Sequence, residues 1–345
     1  MRSPGPRVHA GDGIIEGGVT DSCEARDSEK SAGQATDEQR ARVATIFDVA
    51  RLAGVSHQTV SRVLNDLPNV RASTKAKVEV AIKQLHYRPS TAARALVTRR
   101  SRTIGLVTTG APDFGPSSTV IGFNEAAREA RYAVSMASMR DADPESVRAA
   151  VDLLLRQHVE AFVLIAARRG ALESIRGIDL GVPLLAVESG DRVGFHSVSI
   201  DQYRGACEAV GHLIALGHRN ILHLARPDDS MDATERVRGW RDTLAEHGLV
   251  AREPMVGDWS PSSGYRFGLS LVPPLDFTAI FVGFDDIPEA EHFSPPLTTM
   301  RQDFSELGRE IMAGVLELLK DEEAHEHTKS VPGLIVREST AAPRG

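Results

Sequence analysis

The stretch ATIFDVARLAGVSHQTVSRVLN, from Ala44 to Asn65, holds two amphipathic helical patterns separated only by Ala53-Gly54-Val55. So short a break turns the second helix sharply against the first, which limits this part of the chain to a small helical unit. Thr45 suits the N-cap of the first helix, and Asp48, three residues on, completes a capping-box pattern. Phe47, Val49, Ala50 and Ala53 form its apolar stripe, Gly54 supplies the positive φ of the reversal, and Ser56 suits the cap of the second helix. On that helix Val60, Val63 and Leu64 share one face, leaving His57, Gln58, Ser61, Arg62 and Asn65 on the other. A third pattern, capped near Ser73, turns Val78, Ala81, Ile82 and Leu85 inward, so three helices can share one core.

The polar face of the second helix is made of side chains that suit the major groove of DNA. Gln pairs bidentately with adenine and Arg with guanine, while Ser, Thr and Asn fix the backbone through phosphates. Charge agrees: residues 41–100 carry eleven Lys and Arg against three Asp and Glu, although the whole chain has a formal net charge of −7. A local basic excess attracts a polyanion, and an acidic remainder limits indiscriminate sticking. A plain helical bundle with a solvated basic face would show the same charge. The tight glycine turn and the groove-reading side chains favour the DNA reader.

At 345 residues the chain suits two or three units, and 41% hydrophobic with 25% charged residues is ordinary for a soluble protein. No run of eighteen apolar residues and no signal-peptide pattern occurs, so the expected compartment is the cytoplasm, at the nucleoid, with no membrane partner. Two cysteines, Cys23 and Cys207, do not make a disulfide framework. The first forty residues are rich in Gly, Ser, Asp and Glu without sustained periodicity and read as a disordered tail. Gly11-Asp12-Gly13 is no dinucleotide loop, since no strand precedes it.

YRPSTAARALVTRR, from Tyr87 to Arg100, gives a short Ala-rich helix after Pro89, too short to be stable alone. Leu96, its one large apolar residue in the Ala-rich run, suits a wedge into a minor-groove step, with a plain contact on the core as the less favoured reading. From Thr103 onward short β-rich runs (TIGLVTT, YAVSMAS, AFVLIAA, VPLLAVE) alternate with helical patterns, and NILHLA, a helix through Arg236 to Trp240 and TAIFVGFDD form a second series. That is parallel α/β organisation in two lobes, with a ligand cleft at the carboxyl ends of the strands.

These segments together (TIFDVARLAGVSHQTVSRVLN, VRASTKAKVEVAIKQLHYRPSTAARAL, SRTIGLV and their continuation through residue 342) resemble the lactose-repressor family of bacterial transcription regulators. The resemblance implies an all-α helix-turn-helix headpiece plus hinge helix, followed by an α/β periplasmic-binding-protein-like core of two doubly wound lobes. The boundaries are a tail at 1–43, headpiece at 44–88, hinge and linker at 89–101 and core at 102–345. It implies a homodimer on a palindromic double-stranded operator, with His57, Gln58 and Arg62 reading bases and Thr45, Ser56, Ser61 and Asn65 on phosphates. Ala93 and Leu96 are the implied minor-groove hinge residues. A small effector, sugar-like by resemblance, is implied between the lobes at Arg236, Trp259, Asp285 and Phe304, with no cofactor and no metal. For Trp259 plain core packing is the competing reading.

One departure from the family pattern stands out. Val282 runs directly into Gly283-Phe284-Asp285-Asp286, where family members interpose a turn, a helix and a strand. The second lobe is therefore expected to be shortened, and an alternative reading is a regulator with impaired effector response or dimerisation. A sugar-binding protein without DNA function is the third reading, disfavoured by the basic headpiece. No nucleophile elbow, phosphate loop or paired cysteines support an enzyme, and Asp321 to His327 reads as a solvated loop and not a metal site.

Overall fold

The computed structural model describes residues 44–343 apart from 66, 89–99, 110–112, 140–142, 167–168, 190–195, 227–229, 259, 272–281 and 321–326. The chain divides into two compact units, Met1–Pro89 and Ser90–Gly345.

In the first unit α1 (Ile46–Ala53), α2 (His57–Leu64) and α3 (Ala72–Gln84) enclose a core of Val49, Ala50, Val60, Val63, Val78 and Ala81, with Ile82 and Leu85 packed on it. The expected caps of the first two helices form. Asp48 N–H donates to Thr45 Oγ1 while Thr45 N–H donates to the Asp48 carboxylate at 2.9 Å, and Ser56 Oγ accepts from Thr59 N–H at 3.2 Å. Gly54 takes φ +66°, the left-handed conformation that the reversal demands and that a β-carbon would strain. Two expectations are corrected. α3 begins at Ala72 after Arg71, which makes no side-chain cap, so Ser73 lies within the helix. Phe47 is 60% exposed: it lies outside the buried stripe and stacks obliquely on His57, ring centroids 5.2 Å apart.

The second unit contains two lobes. In the first, β1 (Thr103–Thr109), β2 (Ala133–Met139), β3 (Ala161–Ala166), β4 (Leu184–Val187), β5 (His196–Ile200) and β10 (His327–Ser330) form one sheet in the order β10-β5-β4-β3-β1-β2, every pairing parallel. Its central strands are continuous apolar runs buried on both faces, as a doubly wound sheet requires. The helices are α4 (Phe114–Glu129), α5 (Pro144–Leu155), α6 (Arg169–Arg176) and α10 (Phe304–Leu318). α4 and α10 cross in backbone contact at Gly122 and Gly308, where a β-carbon on Gly122 would stand 2.2 Å from Phe304 O.

The second lobe is built from α7 (Gln202–Ala215), β6 (Leu224–Ala225), α8 (Met231–Glu246), β7 (Met255–Val256), α9 (Pro261–Ser270), β8 (Val282–Phe284), β9 (Thr298–Arg301) and β11 (Gly333–Ile335). Among the described residues its strands fall into two sheets, β6-β7 and β11-β9-β8. The run NILHLA yields only two strand residues, shorter than its composition suggests, because β7 offers it a partner at Leu224 and Ala225 alone. A small core of Val210, Leu213, Ile221, Trp240 and Leu244 holds this lobe, with Trp240 Nε1–H donating to Ile221 O at 3.2 Å.

Candidate DNA-reading face and ligand cleft

α2 places His57, Gln58, Arg62 and Asn65 in solvent, with Ser61 half-buried, while Val60 and Val63 seat the helix on the headpiece core. The polar groups are partly engaged within the protein. Arg62 donates one guanidinium N–H to Pro68 O at 2.9 Å, which holds the side chain against the segment after α2. An arginine has five donors, so this contact leaves capacity for a bidentate pair. Asn65 donates to Ser61 O at 2.9 Å, Thr45 Oγ1 donates to the Asp48 carboxylate at 2.6 Å, and Ser56 Oγ is within 2.9 Å of Thr59 Oγ1. These hydroxyls therefore serve first as caps. Ala93 and Leu96 lie outside the described residues.

In the second unit Arg236, Asp285 and Phe304 line one cleft of about 80 Å³, together with Ser189, Gln202 and Gln302. Trp259 lies outside the described residues. The arrangement is a closed circuit of four side chains. Arg236 Nε–H donates to Gln202 Oε1 at 2.8 Å, Gln202 Nε2–H donates to Gln302 Oε1 at 2.9 Å, and Gln302 Nε2–H donates to Asp285 Oδ1. The circuit closes through the ion pair of Arg236 with Asp285, 3.6 Å apart. Phe284 supports it from below, its ring 3.7 Å from the Arg236 guanidinium carbon. The sequence reading missed Gln202 and Gln302. Each directly follows or nearly follows a strand end, Ile200 of β5 and Arg301 of β9, and a polar residue at a strand's carboxyl end was the available signal.

The two neighbouring carboxyls, Asp285 and Asp286, are shifted in opposite directions. Burial, opposed by Arg236 and reinforced by nearby Asp232, holds the Asp285 carboxyl above the usual carboxylate range. Its neighbour Asp286 goes the other way. Burial is outweighed there by hydrogen bonds from Arg337 and Arg301, and the Arg301 Nε to Asp286 contact is 2.6 Å. Asp285 takes φ +84°, a left-handed conformation that costs a non-glycine residue energy and presents its carboxylate to Gln302 and Arg236. Across the cleft the two lobes touch through polar pairs: Ser189 Oγ–H donates to Asp232, and Arg226 stands 3.9 Å from Asp113. Phe304 at the start of α10 meets Phe114 at the start of α4 edge to face, centroids 5.9 Å apart.

A second and larger cavity, about 700 Å³, is lined mostly by the second lobe, with Asp113 and Phe114 from the first, and shares Arg236 and Asp285 with the cleft. His223 lines it, and burial, with Arg236 and Arg241 nearby, pushes that imidazole down to about 4. Among the described residues no group of His, Cys, Asp and Glu is placed to hold a metal ion, and no helix is long and apolar enough to cross a membrane.

Residues 45–90 match the bacterial regulatory proteins of the lacI family, residues 116–263 the periplasmic binding proteins and sugar binding domain of the LacI family, and residues 274–340 a periplasmic binding protein-like domain. The lactose operon repressor of Escherichia coli (strain K12) is 30% identical over 329 residues, covering 87% of this chain and 91% of that protein. The HTH-type transcriptional regulator CelR of Thermobifida fusca is 32% identical over 356 residues, covering 87% and 99%. A crystal structure of the lac repressor dimer bound to operator and the anti-inducer ONPF aligns with a TM-score of 0.76 at 29% identity, covering 87% of this chain and 100% of that one.

Proposed function

Because the chain belongs to the lacI family of bacterial regulatory proteins, a DNA-binding transcriptional regulator and not an enzyme, we propose that it represses its genes as a homodimer on a palindromic operator. His57, Gln58 and Arg62 read base edges, while Thr45, Ser56, Ser61 and Asn65 meet phosphates, and Ala93 and Leu96 act at the minor groove between half-sites. A tail at 1–43, a headpiece at 44–88, a hinge at 89–101 and a core at 102–345 divide the labour, in the cytoplasm on nucleoid DNA. The lactose repressor acts on an operator in the solved complex, which supports the same mode for this chain.

The observation that carries the regulatory half of the proposal is the Arg236–Gln202–Gln302–Asp285 circuit, which joins four chain segments where the two lobes meet. A sugar-like ligand replaces parts of this circuit with its own hydroxyls, because a guanidinium spans two adjacent hydroxyls and a carboxylate accepts from them. Trp259 stacks on the ring, and Phe304 closes the wall. A ligand that prefers one lobe arrangement changes the separation of the hinges and so the operator affinity. Selection of bound sites from genomic DNA by the full chain tests the DNA half: a recovered palindrome supports it, and unselective retention of DNA contradicts it. Shortening after Val282 favours a second reading, in which dimerisation is weak. Sedimentation equilibrium at micromolar concentration separates the two, a stable dimer excluding the weaker form.

A further inference from the structure

The three base-reading side chains of α2 are held by the headpiece in different ways. Arg62 is tied by its 2.9 Å hydrogen bond to Pro68 O. Gln58 and His57 are exposed, and among the described residues neither side chain makes a hydrogen bond or ion pair. His57 has another neighbour. Phe47 of α1 stands against its imidazole, with the ring centroids 5.2 Å apart and the planes inclined by 45°.

Both rings ride on fixed backbone. Phe47 lies in the first turn of α1, where the reciprocal bonds of Thr45 and Asp48 close the helix N-terminus. His57 opens α2, whose cap is the 3.2 Å bond from Thr59 N–H to Ser56 Oγ, and Gly54 in its left-handed conformation joins the two helices. The Phe47 ring serves no core: Val49 and Ala50 are the buried residues of α1, whereas Phe47 is 60% exposed. A lone exposed phenylalanine needs no explanation, so the informative fact is what this one touches. A ring against one face of an imidazole restricts its rotation and leaves the ring edge, with both nitrogens, open to a base edge. A side chain ordered beforehand does not have to be ordered by binding, and each one immobilised on association costs roughly two- to tenfold in affinity.

We propose that Phe47 is a positioning residue for DNA recognition, one that touches no base and sharpens the preference read by His57 by fixing the imidazole on α2. This rests on the base-reading role of His57 and on nothing in the ligand cleft. It also divides the three readers, since Phe47 stacks on His57 and not on Gln58 or Arg62, whose base positions should be indifferent to it.

The test is fluorescence anisotropy of the full chain on its selected operator and on every single-base variant of the half-site, changed symmetrically. The parent is compared with His57→Ala, Phe47→Leu, Phe47→Tyr and the double variant Phe47→Leu/His57→Ala. His57→Ala marks the base pair that His57 reads. Phe47→Leu should narrow discrimination at that base pair by roughly two- to tenfold and leave the other positions as in the parent. Phe47→Tyr keeps the ring and should match the parent, and Phe47→Leu should add nothing once His57 is alanine. Since Phe47 lies outside the buried core, melting of the full chain should stay within about 3 °C in each variant. Headpiece unfolding in Phe47→Leu would make the ring a core element and overturn the proposal. Unchanged discrimination, equal weakening on every sequence, or a further loss in the His57→Ala background also overturns it and leaves base reading by His57 standing. A His57→Ala protein with parental preference at every position overturns that reading and this inference together.

Discussion

The headpiece and the ligand cleft solve the same problem, presenting polar side chains for recognition, in opposite ways. In the headpiece the polar set lies on nine consecutive residues, His57 to Asn65, of one helix and its C-cap, and six buried side chains beneath them fix its orientation. In the second unit the polar set comes from residues as far apart as Gln202 and Gln302, and it is held by hydrogen bonds among its own members. The first arrangement is fixed by a packed core; in the second each member is held by a hydrogen bond or ion pair to the next, and under the proposed function a ligand's hydroxyls would replace some of these. A regulator needs both, a fixed reader and an adjustable sensor.

The largest expected effect separates the two units outright. A domain of about forty-five residues has roughly 2–7 kcal/mol of stability, and a carboxylate forced into its core costs at least that much. Val60→Asp, at a fully buried position, should therefore abolish operator binding while the melting of the second unit stays within about 2 °C, on the order of what a change with no effect on that unit allows. Coupled loss of both transitions in calorimetry would show that the units are not independent.

Next in size is a pH effect confined to the second lobe. His223 has its pKa lowered from 6.5 to about 4 in the folded protein, so the folded state resists a proton that the unfolded chain accepts. Its contribution is intact above about pH 6.5 and is lost as pH falls toward 4, by roughly 3 kcal/mol at most. Denaturant titrations from pH 7 to pH 4 should show a shallower decline for His223→Leu than for the parent; parallel curves would place the acid sensitivity elsewhere.

Smaller changes act on the reader. Arg62→Ala should cost about 1–3 kcal/mol at the preferred operator and relax preference at one base position. Equal weakening on all sequences, measured by fluorescence anisotropy against variant operators, would mean that Arg62 acts through phosphate and through Pro68 alone. Gly54→Ala, at φ +66°, should destabilise the headpiece by about 1 kcal/mol, enough to see as a lower midpoint in urea and small enough to leave operator sequence preference unchanged.

The same contrast explains what the sequence disclosed. Thr45, Asp48, Gly54 and Ser56 act on partners within five residues, so spacing alone placed both caps and the turn. What failed in the headpiece is the cap at Ser73, which lies inside α3, and the burial of Phe47, which belongs to the apolar period yet meets His57 in solvent. In the α/β unit the strand runs of the first lobe were visible as apolar segments, since a sheet buried on both faces leaves that signature. The ligand cleft was not visible in that way. Arg236, Asp285 and Phe304 came from resemblance to a family, and Gln202 and Gln302 offer only their place just after a strand end, since the partners that draw them together lie 17 to 100 residues away. The pairing of β6 with β7 and of β9 with β8 and β11 was likewise absent from any window of sequence, being a property of strand pairing.

The most direct test of the account is whether the sensor controls the reader through Arg236. Operator recovered from genomic selection is bound by the full chain and titrated with the tightest-binding glycoside, with anisotropy reporting affinity, for the parent and for Arg236→Ala. Saturating ligand should shift the parent's operator affinity at least about fivefold, the lower end of ordinary allosteric coupling, while Arg236→Ala binds operator with parental affinity and shows no shift. A parent whose operator affinity ignores a ligand it demonstrably binds, or an Arg236→Ala protein that responds as the parent does, would contradict it.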